Sequence, residues 1–595
     1  MSSLKKVFIK AISLLPPPIE KEFPFLILFF LLIAFPLIKN LLATLVASGI
    51  FISEVLTPIC LAFFISYIFT IVVYYSHRHW VKVLLYTIGC VVFSVDTFLW
   101  LEFHKSITPE ILTLIGETNS KEASEFLATF LFNLKGALCI LLIVLFITII
   151  CIVEKKRSKI YLFLNRNRIV KGIIYMTTFP VSIIAICCSH VYDELFTSKI
   201  DQDINVGAYK DSFTATVFAL RSVAYTTYEM KSAIRQAQEV KGGTIKEKDS
   251  LNVILIIGES YIKHHAQLYG YPLPTTPRLM NEKNKGNLYV FNNVVTPYNY
   301  TTYVIKNALC CNSIANDESW YNTPFVPTIF KRSGMKVDNW DNQRTNSSNT
   351  ISIWDFTLNS FLFNSTICDI SYDRISSQVF KYDDQLVSDY ARSKNKEVGK
   401  YNFIIFHLMG QHIDAKDRYP HDRFSRFSAK DIRNNAPYMT ESKKQDIANY
   451  DNATYYNDYV VNHIIDLYRE KNTVVVYFSD HGEEVYDYRD SKGRVEAAPG
   501  QEKEWLRYQF EVPFVIWCSD KYKALHPDVV RRIKASLNRP FMTDNTCHLL
   551  FDLAGLKTSY YRPERDLISP KFKPSKRIVQ NNIDFDAVMS NKWEK

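Results

Sequence analysis

Two strand-like runs end in side chains able to hold a metal. Val476-Tyr477-Phe478-Ser479 leads into Asp480-His481-Gly482-Glu483-Glu484, and the run from Leu251 to Ile257 leads into Gly258-Glu259-Ser260. In open α/β sheets the ligand crevice lies beyond the carboxyl ends of the strands, so Glu259, Asp480 and His481 offer oxygen and nitrogen ligands to one Zn²⁺. A transfer or hydrolytic site on such a metal also needs a nucleophile. Thr301 follows a strand that breaks at Pro297, where a helix would begin at Thr301 or Thr302. Backbone N–H groups at a helix start can hold a phosphate, and a nearby metal lowers the hydroxyl pKa. A Thr in that place also serves as an ordinary helix cap, and Thr302 is the alternative nucleophile. His407 and His412 follow a further strand, in Phe406-His407-Leu408-Met409-Gly410-Gln411-His412. One of them can act as a second metal ligand or as a donor to phosphate, and a histidine satisfied in the core is the competing reading.

The elements that position these residues form two unlike parts. Apolar runs at 24–47, 53–75, 82–103, 130–153 and 170–190 predict five transmembrane helices, each close to the ~20 residues that span a bilayer core. Pro36, Lys39 and Asn40 interrupt the first. Basic residues gather before the first span, between the second and third (Arg78, Lys82) and between the fourth and fifth (Lys155, Lys156, Arg157, Lys159). The loop 104–128 instead carries Glu110, Glu117, Glu122 and Glu125. By the positive-inside rule the N-terminus is cytoplasmic and everything after the fifth span lies outside the cytoplasm. No small-residue cleavage site follows the first apolar run, so a removable signal peptide is not expected. The expected division is a transmembrane domain over 1–194, an interfacial bridging segment over 195–249 with a helix near 212–240, and a catalytic domain over 250–595.

In that last part, short strand-like runs (253–257, 289–295, 403–407, 474–478, 513–517) alternate with long connections. This predicts an α/β domain with a doubly wound, mostly parallel sheet. The formal charge of +10 comes from 70 Lys and Arg against 60 Asp and Glu, and much of the excess sits in the cytoplasmic loops. No nucleic-acid or nucleotide-binding motif is present, and a monomer is expected. Of the 11 cysteines, Cys310, Cys311, Cys368, Cys518 and Cys547 fall in the soluble part. An odd number cannot all pair internally, and Cys368 with Cys310 or Cys311 is the pairing to consider.

Nearly the whole chain resembles the phosphoethanolamine transferases that decorate lipopolysaccharide, members of the alkaline phosphatase and sulfatase superfamily. Gly258-Glu259-Ser260, Leu268-Tyr269-Gly270-Tyr271-Pro272, Val290 to Thr296, Arg418-Tyr419-Pro420, Tyr450-Asp451-Asn452-Ala453 and Asp480 to Tyr486 carry the likeness. It looks nearest to the type that modifies the heptose of the core. The resemblance implies Glu259, Thr301, Asp480 and His481 as zinc ligands and Thr301 as the nucleophile that takes up phosphoethanolamine. It places His412 near the substrate phosphate or a second zinc, with Asn342, Gln343 and Glu483 as substrate-binding residues. It further implies phosphatidylethanolamine as donor, lipid A or a core sugar as acceptor, and the inner membrane of a Gram-negative bacterium with a periplasmic catalytic domain. In one respect the sequence departs from the pattern. Relatives carry another His before the Val-Pro-Phe strand, whereas 495–511 has none and Tyr508 takes the place, which puts a second zinc in doubt. A phosphoglycerol transferase or sulfatase of the same superfamily is the alternative enzyme, and a membrane sensor with a degenerate hydrolase domain is the non-catalytic one.

Overall fold

Long apolar runs near the N-terminus fold as helices, which satisfy every backbone N–H and C=O within one segment, as lipid requires. The computed structural model describes residues 16–44, 57–103, 107, 111–112, 134–187, 211–343, 362, 364–393, 399–412, 414–495, 497–580 and 582–590. The chain divides into two units, Met1–Thr227 and Tyr228–Lys595.

In the first unit the long apolar helices are α1 (Phe23–Thr44), α2 (Thr57–Ser76), α3 (His79–Phe103), α4 (Leu134–Lys155) and α5 (Arg168–Cys187). Among the described residues, four stretches are long and apolar enough to cross a membrane: Pro58–Ser76, His79–Leu101, Leu134–Lys155 and Arg168–Ala185. These four correspond to the second to fifth predicted spans. For the first predicted span the apolar stretch among the described residues is Phe23–Phe35, within α1. Helix α4 leaves Leu138, Leu141, Val144 and Leu145 exposed, an apolar face that only lipid or another protein surface would cover. At the helix ends Lys82 is buried between Glu22 and Glu154, at 2.9 and 2.6 Å. Most of the acidic loop 104–128 lies outside the described residues, as do 188–194 of the expected transmembrane domain and 195–210 of the expected bridge. The helix expected near 212–240 is α6 (Ser212–Glu239). Its Met230 and Ile234 pack against the core of the second unit.

The second unit is built on seven strands: β1 (Leu251–Gly258), β2 (Leu288–Phe291), β3 (Lys336–Asp341), β4 (Arg374–Ile375), β5 (Tyr401–His407), β6 (Thr473–Ser479) and β7 (Phe514–Cys518). Their order is β2-β7-β6-β1-β5-β3-β4. β1 runs parallel to β5 and β6, and β5, β3 and β4 continue in parallel. β7 is antiparallel to both β6 and β2, so the sheet is mixed: β7 alone runs against six strands that share one direction, and the expected parallel character holds for those six. The reason is local: Phe514 at the start of β7 pairs with Phe478 near the end of β6. The connecting segment thus stays at the carboxyl edge and never crosses back over the sheet.

Alternation along β1 fills both faces. Val253, Leu255 and Ile257 enter one apolar cluster and Ile254 and Ile256 the other, all at most 1 % exposed. Full burial of each such side chain is worth ~1.5–3 kcal/mol, which sets the register firmly. β3 and β4 were not legible in the sequence, because β3 (Lys-Val-Asp-Asn-Trp-Asp) is mostly polar without strict alternation; Asp338 is matched by Arg374 of β4, Nε to Oδ1 at 3.0 Å. The predicted strand 289–295 divides at Asn292-Asn293, and Val294–Val295 pairs with Phe541–Met542 instead. The five cysteines of this unit are buried and form no disulfide with one another. The Cys368 pairing is not formed, and its Sγ contacts the Leu362 carbonyl at 3.1 Å.

Candidate active site

Parallel strands deliver their carboxyl ends to one edge, which brings together residues far apart in sequence. Glu259 follows β1, Asp480 and His481 follow β6, Gln343 follows β3 and His412 follows β5. Glu259, Asp480 and His481 are fully buried, and one ligand atom from each lies within 4.8 Å of the others. His481 Nε2 is 3.3 Å from Glu259 Oε1 and 3.3 Å from Asp480 Oδ2. Its Nδ1 lies 2.8 Å from the Gly482 carbonyl. A carbonyl only accepts, so Nδ1 carries the proton and the Nε2 lone pair faces the two carboxylates.

The surrounding backbone aims these groups. Ser260 adopts a left-handed conformation (φ 55°). Its N–H donates to Asp480 Oδ1 at 3.0 Å and its hydroxyl to Glu259 Oε1 at 2.6 Å. Gly410 has φ 52° and leaves no room for a side chain, since a Cβ there would sit 2.7 Å from the Glu259 carbonyl oxygen. The Gly410 N–H donates to Asp383 Oδ2 at 3.0 Å and the Gln411 N–H to the Glu259 carbonyl at 3.0 Å.

Thr301 is the first residue of α7 (Thr301–Ala308), and its cap, Tyr300, supplies no side-chain bond. The Thr301 hydroxyl donates to Glu259 Oε2 at 2.8 Å and lies 3.3 Å from His481 Nε2. Ser260 also bonds Glu259, but the Thr301 hydroxyl meets both the carboxylate and the imidazole. Gln343 Nε2 donates to Glu259 Oε2 at 3.0 Å and to the Leu408 carbonyl at 2.8 Å. Asn342 faces inward: its amide donates to Asp383 at 2.8 Å and its oxygen accepts from the Phe380 N–H at 2.6 Å. His412 is half-buried, with its carbonyl accepting from Arg418 Nε at 2.9 Å. His407 is buried against Asp341, Nδ1 to Oδ2 at 2.7 Å.

Two carboxylates buried side by side beside an imidazole form an electrostatic problem with a definite sign. Burial, and then the neighbouring Glu259 charge, push Asp480 well above the usual carboxylate range. Burial would raise Glu259 as well, but His481, His412 and Arg494 outweigh it and hold Glu259 well below. Burial lowers His481 while Glu259 opposes the shift, and a metal takes the ring in its neutral form. Burial lifts Glu483 to about 8. Two oxygens, one neutral ring nitrogen and a hydroxyl fit Zn²⁺, whose charge would compensate the paired carboxylates.

Sequence reasoning did not find Arg494. Its Nη1 is 3.2 Å from His481 Nε2, and it stands one residue before the stretch 495–511 that was read for a histidine. Tyr508, expected in that histidine's place, instead stacks on Tyr488 and lies against His264, with ring centres 5.3 and 5.2 Å apart.

The sequence profile of the sulfatase family, described as Sulfatase, matches residues 251–556. The chain belongs to the sulfatase family. It is similar to phosphoethanolamine transferase EptC of Escherichia coli O18:K1:H7, with 32% identity over 350 residues, 56% of this chain and 57% of the relative. Phosphoethanolamine transferase CptA of Salmonella typhimurium is 30% identical over 350 residues, again 56% of this chain and 57% of the relative. The chain therefore spans somewhat over half the length of these curated relatives. The crystal structure of the C-terminal periplasmic domain of EptC from Escherichia coli superposes with a TM-score of 0.50 at 30% identity, covering 58% of this chain and 97% of that domain. The resemblance read from Gly258-Glu259-Ser260 and Asp480-His481 is borne out at the level of the family.

Proposed function

We propose that this sulfatase-family chain transfers phosphoethanolamine from phosphatidylethanolamine to lipopolysaccharide, at a lipid A or core-sugar position, through a covalent intermediate on Thr301. One observation carries the reading: the Thr301 hydroxyl, at the start of α7, donates to Glu259 and meets His481 Nε2 at 3.3 Å. The similarity to EptC and CptA supports the choice of transferred group.

Glu259, Asp480, His481 and Thr301 would hold one zinc ion. When bound, it would lower the Thr301 hydroxyl pKa and stabilise negative charge on the transferred group. In the first half-reaction Thr301 Oγ1 bonds to phosphorus, the bond to the diacylglycerol oxygen breaks, and the threonine proton ends on that oxygen. In the second, an acceptor oxygen bonds to phosphorus, Thr301 leaves and recovers a proton from the acceptor. His412, at the mouth of the site, donates to the phosphoryl oxygens. Gln343 holds Glu259 in place, and Asn342 keeps the 341–343 turn fixed through Asp383. Glu483 meets the ethanolamine end.

The remainder of the reading concerns placement. The chain has five spans, α1 included, over 1–194, a bridge over 195–249 and a catalytic domain over 250–595. That domain faces the periplasm from the inner membrane of a Gram-negative cell, and the chain acts as a monomer. Both substrates are amphiphiles, so a tethered domain meets them at high local concentration.

The test is mass spectrometry of lipid A and core oligosaccharide from cells carrying the intact chain or Thr301→Ala. A phosphoethanolamine increment is expected with the first and none with the second. An increment that survives Thr301→Ala would move the nucleophile to Thr302, and none from the intact chain would overturn the transferred group.

A further inference from the structure

The segment between β6 and β7 leaves the site at His481 and returns to the sheet at Phe514, and it sends one cation back toward the ligands. Arg494 Nη1 lies 3.2 Å from His481 Nε2, the ring nitrogen that also faces Thr301, Glu259 and Asp480. Its guanidinium carbon sits 5.4 Å from the ring centre of Tyr300, the residue immediately before the Thr301 nucleophile. The ring thus orients the guanidinium plane beside the start of α7.

The support beneath Arg494 is fastened at two points. Lys492 and Gly493 pair antiparallel with Val485 and Glu484, which ties the segment to the chain just past the Asp-His motif. The carbonyl of the next residue, Val495, accepts from Trp505 Nε1 at 2.7 Å and from Gln509 Nε2 at 2.8 Å. Gln509 also donates to Glu484 at 2.9 Å, which closes the loop on itself. A guanidinium carries five N–H donors in a rigid fork; among the described residues its hydrogen-bond contact here is the one ring nitrogen, while its charge also acts on Glu259 and Glu483. Arginine has no lone pair with which to ligate a metal, and the stretch 485–511 contains no histidine. What this stretch supplies is a permanent positive charge within reach of the reacting hydroxyl.

We propose that Arg494 grips the non-bridging oxygens of the transferred phosphoryl group, at the position where another metal ion would otherwise neutralise its charge, so that the site works with one zinc and one arginine. The proposal rests on the phosphoryl-transfer reading of Thr301. The fork matches two phosphate oxygens in a bidentate contact. Such a contact strengthens as charge builds on those oxygens, so it acts on turnover more than on the zinc.

The experiment compares the full-length wild type with Arg494→Ala and Arg494→Lys, using three readouts. Zinc per chain is measured by mass spectrometry, orthovanadate binding by calorimetry, and transfer from phosphatidylethanolamine vesicles by the appearance of modified Thr301. The expected result is one zinc per chain in all three proteins. In Arg494→Ala, orthovanadate binding and kcat/KM each fall about 100-fold, and Arg494→Lys recovers part of both, since a point charge replaces the fork. Orthovanadate affinity within about threefold of wild type in Arg494→Ala overturns the proposal. So does loss of zinc in that variant, or two zinc ions per wild-type chain. A wild type that never modifies Thr301 sinks the transfer reading instead, and the orthovanadate result then still decides for or against Arg494 as an anion-binding residue.

Discussion

A hydroxyl, two carboxylates and an imidazole in mutual contact have different expected sensitivities. Thr301→Ala should remove the covalent adduct and lower turnover by at least about 10⁴-fold, as loss of a nucleophile does, while zinc content changes little because Glu259, Asp480 and His481 remain. Asp480→Asn should show the reverse order of events. Its Oδ1 still accepts from the Ser260 and His481 N–H groups at 3.0 and 2.7 Å, so the turn should survive. Zinc affinity should fall by more than the roughly 100-fold typical of losing an outer-shell partner. Zinc titration of the purified variants separates the two, and a Thr301→Ala protein that loses its zinc would mean the hydroxyl is chiefly a ligand. Gly410 belongs to the same scale. An alanine there must adopt φ 52° and place a Cβ 2.7 Å from the Glu259 carbonyl oxygen. Gly410→Ala should cost about 1–3 kcal/mol of stability and displace Glu259, read as a lower melting temperature together with weaker zinc binding.

At the scale of elements, the site depends on short segments being clamped to the sheet. His265, on the turn after β1, is buried with Nδ1 2.6 Å from Asp451 Oδ1 and Nε2 2.8 Å from Asp487 Oδ1. It stacks on Tyr271 with ring centres 4.6 Å apart. Asp451 lies in the helix Glu441–Asp466 and Asp487 in the β6–β7 segment, so one imidazolium joins three elements around the site. Burial would lower this histidine, but Asp487 and Asp451 raise it to about 10, against ~6.5 for an unfolded chain. A folded value above the unfolded one means that the clamp stabilises fully below about pH 6.5 and is lost as the pH rises through about 10. The melting-temperature gap between wild type and His265→Gln should therefore be widest near pH 6 and narrow toward pH 10. A gap that stays constant over that range would refute the charged clamp.

The whole molecule joins an apolar helical unit to an α/β unit whose described core is self-sufficient. The two apolar clusters flanking β1 draw their members from residue 233 onward. A fragment covering residues 228–595 should therefore fold and bind zinc without the first unit. Its transfer from vesicle-borne phosphatidylethanolamine should be slower than that of the full chain by about 10²–10⁴-fold, the range that tethering supplies, and a soluble short-chain donor should close most of the gap. Equal rates on vesicles would show that the apolar unit contributes nothing to substrate encounter.

The sequence by itself determined the strand ends and the apolar helices. Glu259, Asp480 and His481 were legible because strand periodicity is a local signal and the carboxyl ends of neighbouring parallel strands fall at one edge. The four long apolar helices were legible because lipid demands continuous hydrophobicity. Only the tertiary structure decided the reversal of β7, the polar strands β3 and β4, the inward role of Asn342 and the approach of Arg494 to His481. Each depends on partners distant in sequence. Asp338 is tolerable in a buried strand once Arg374 faces it. Arg494 reaches the site because Trp505 and Gln509 hold the carbonyl beside it, a dependence that spacing along the chain does not express.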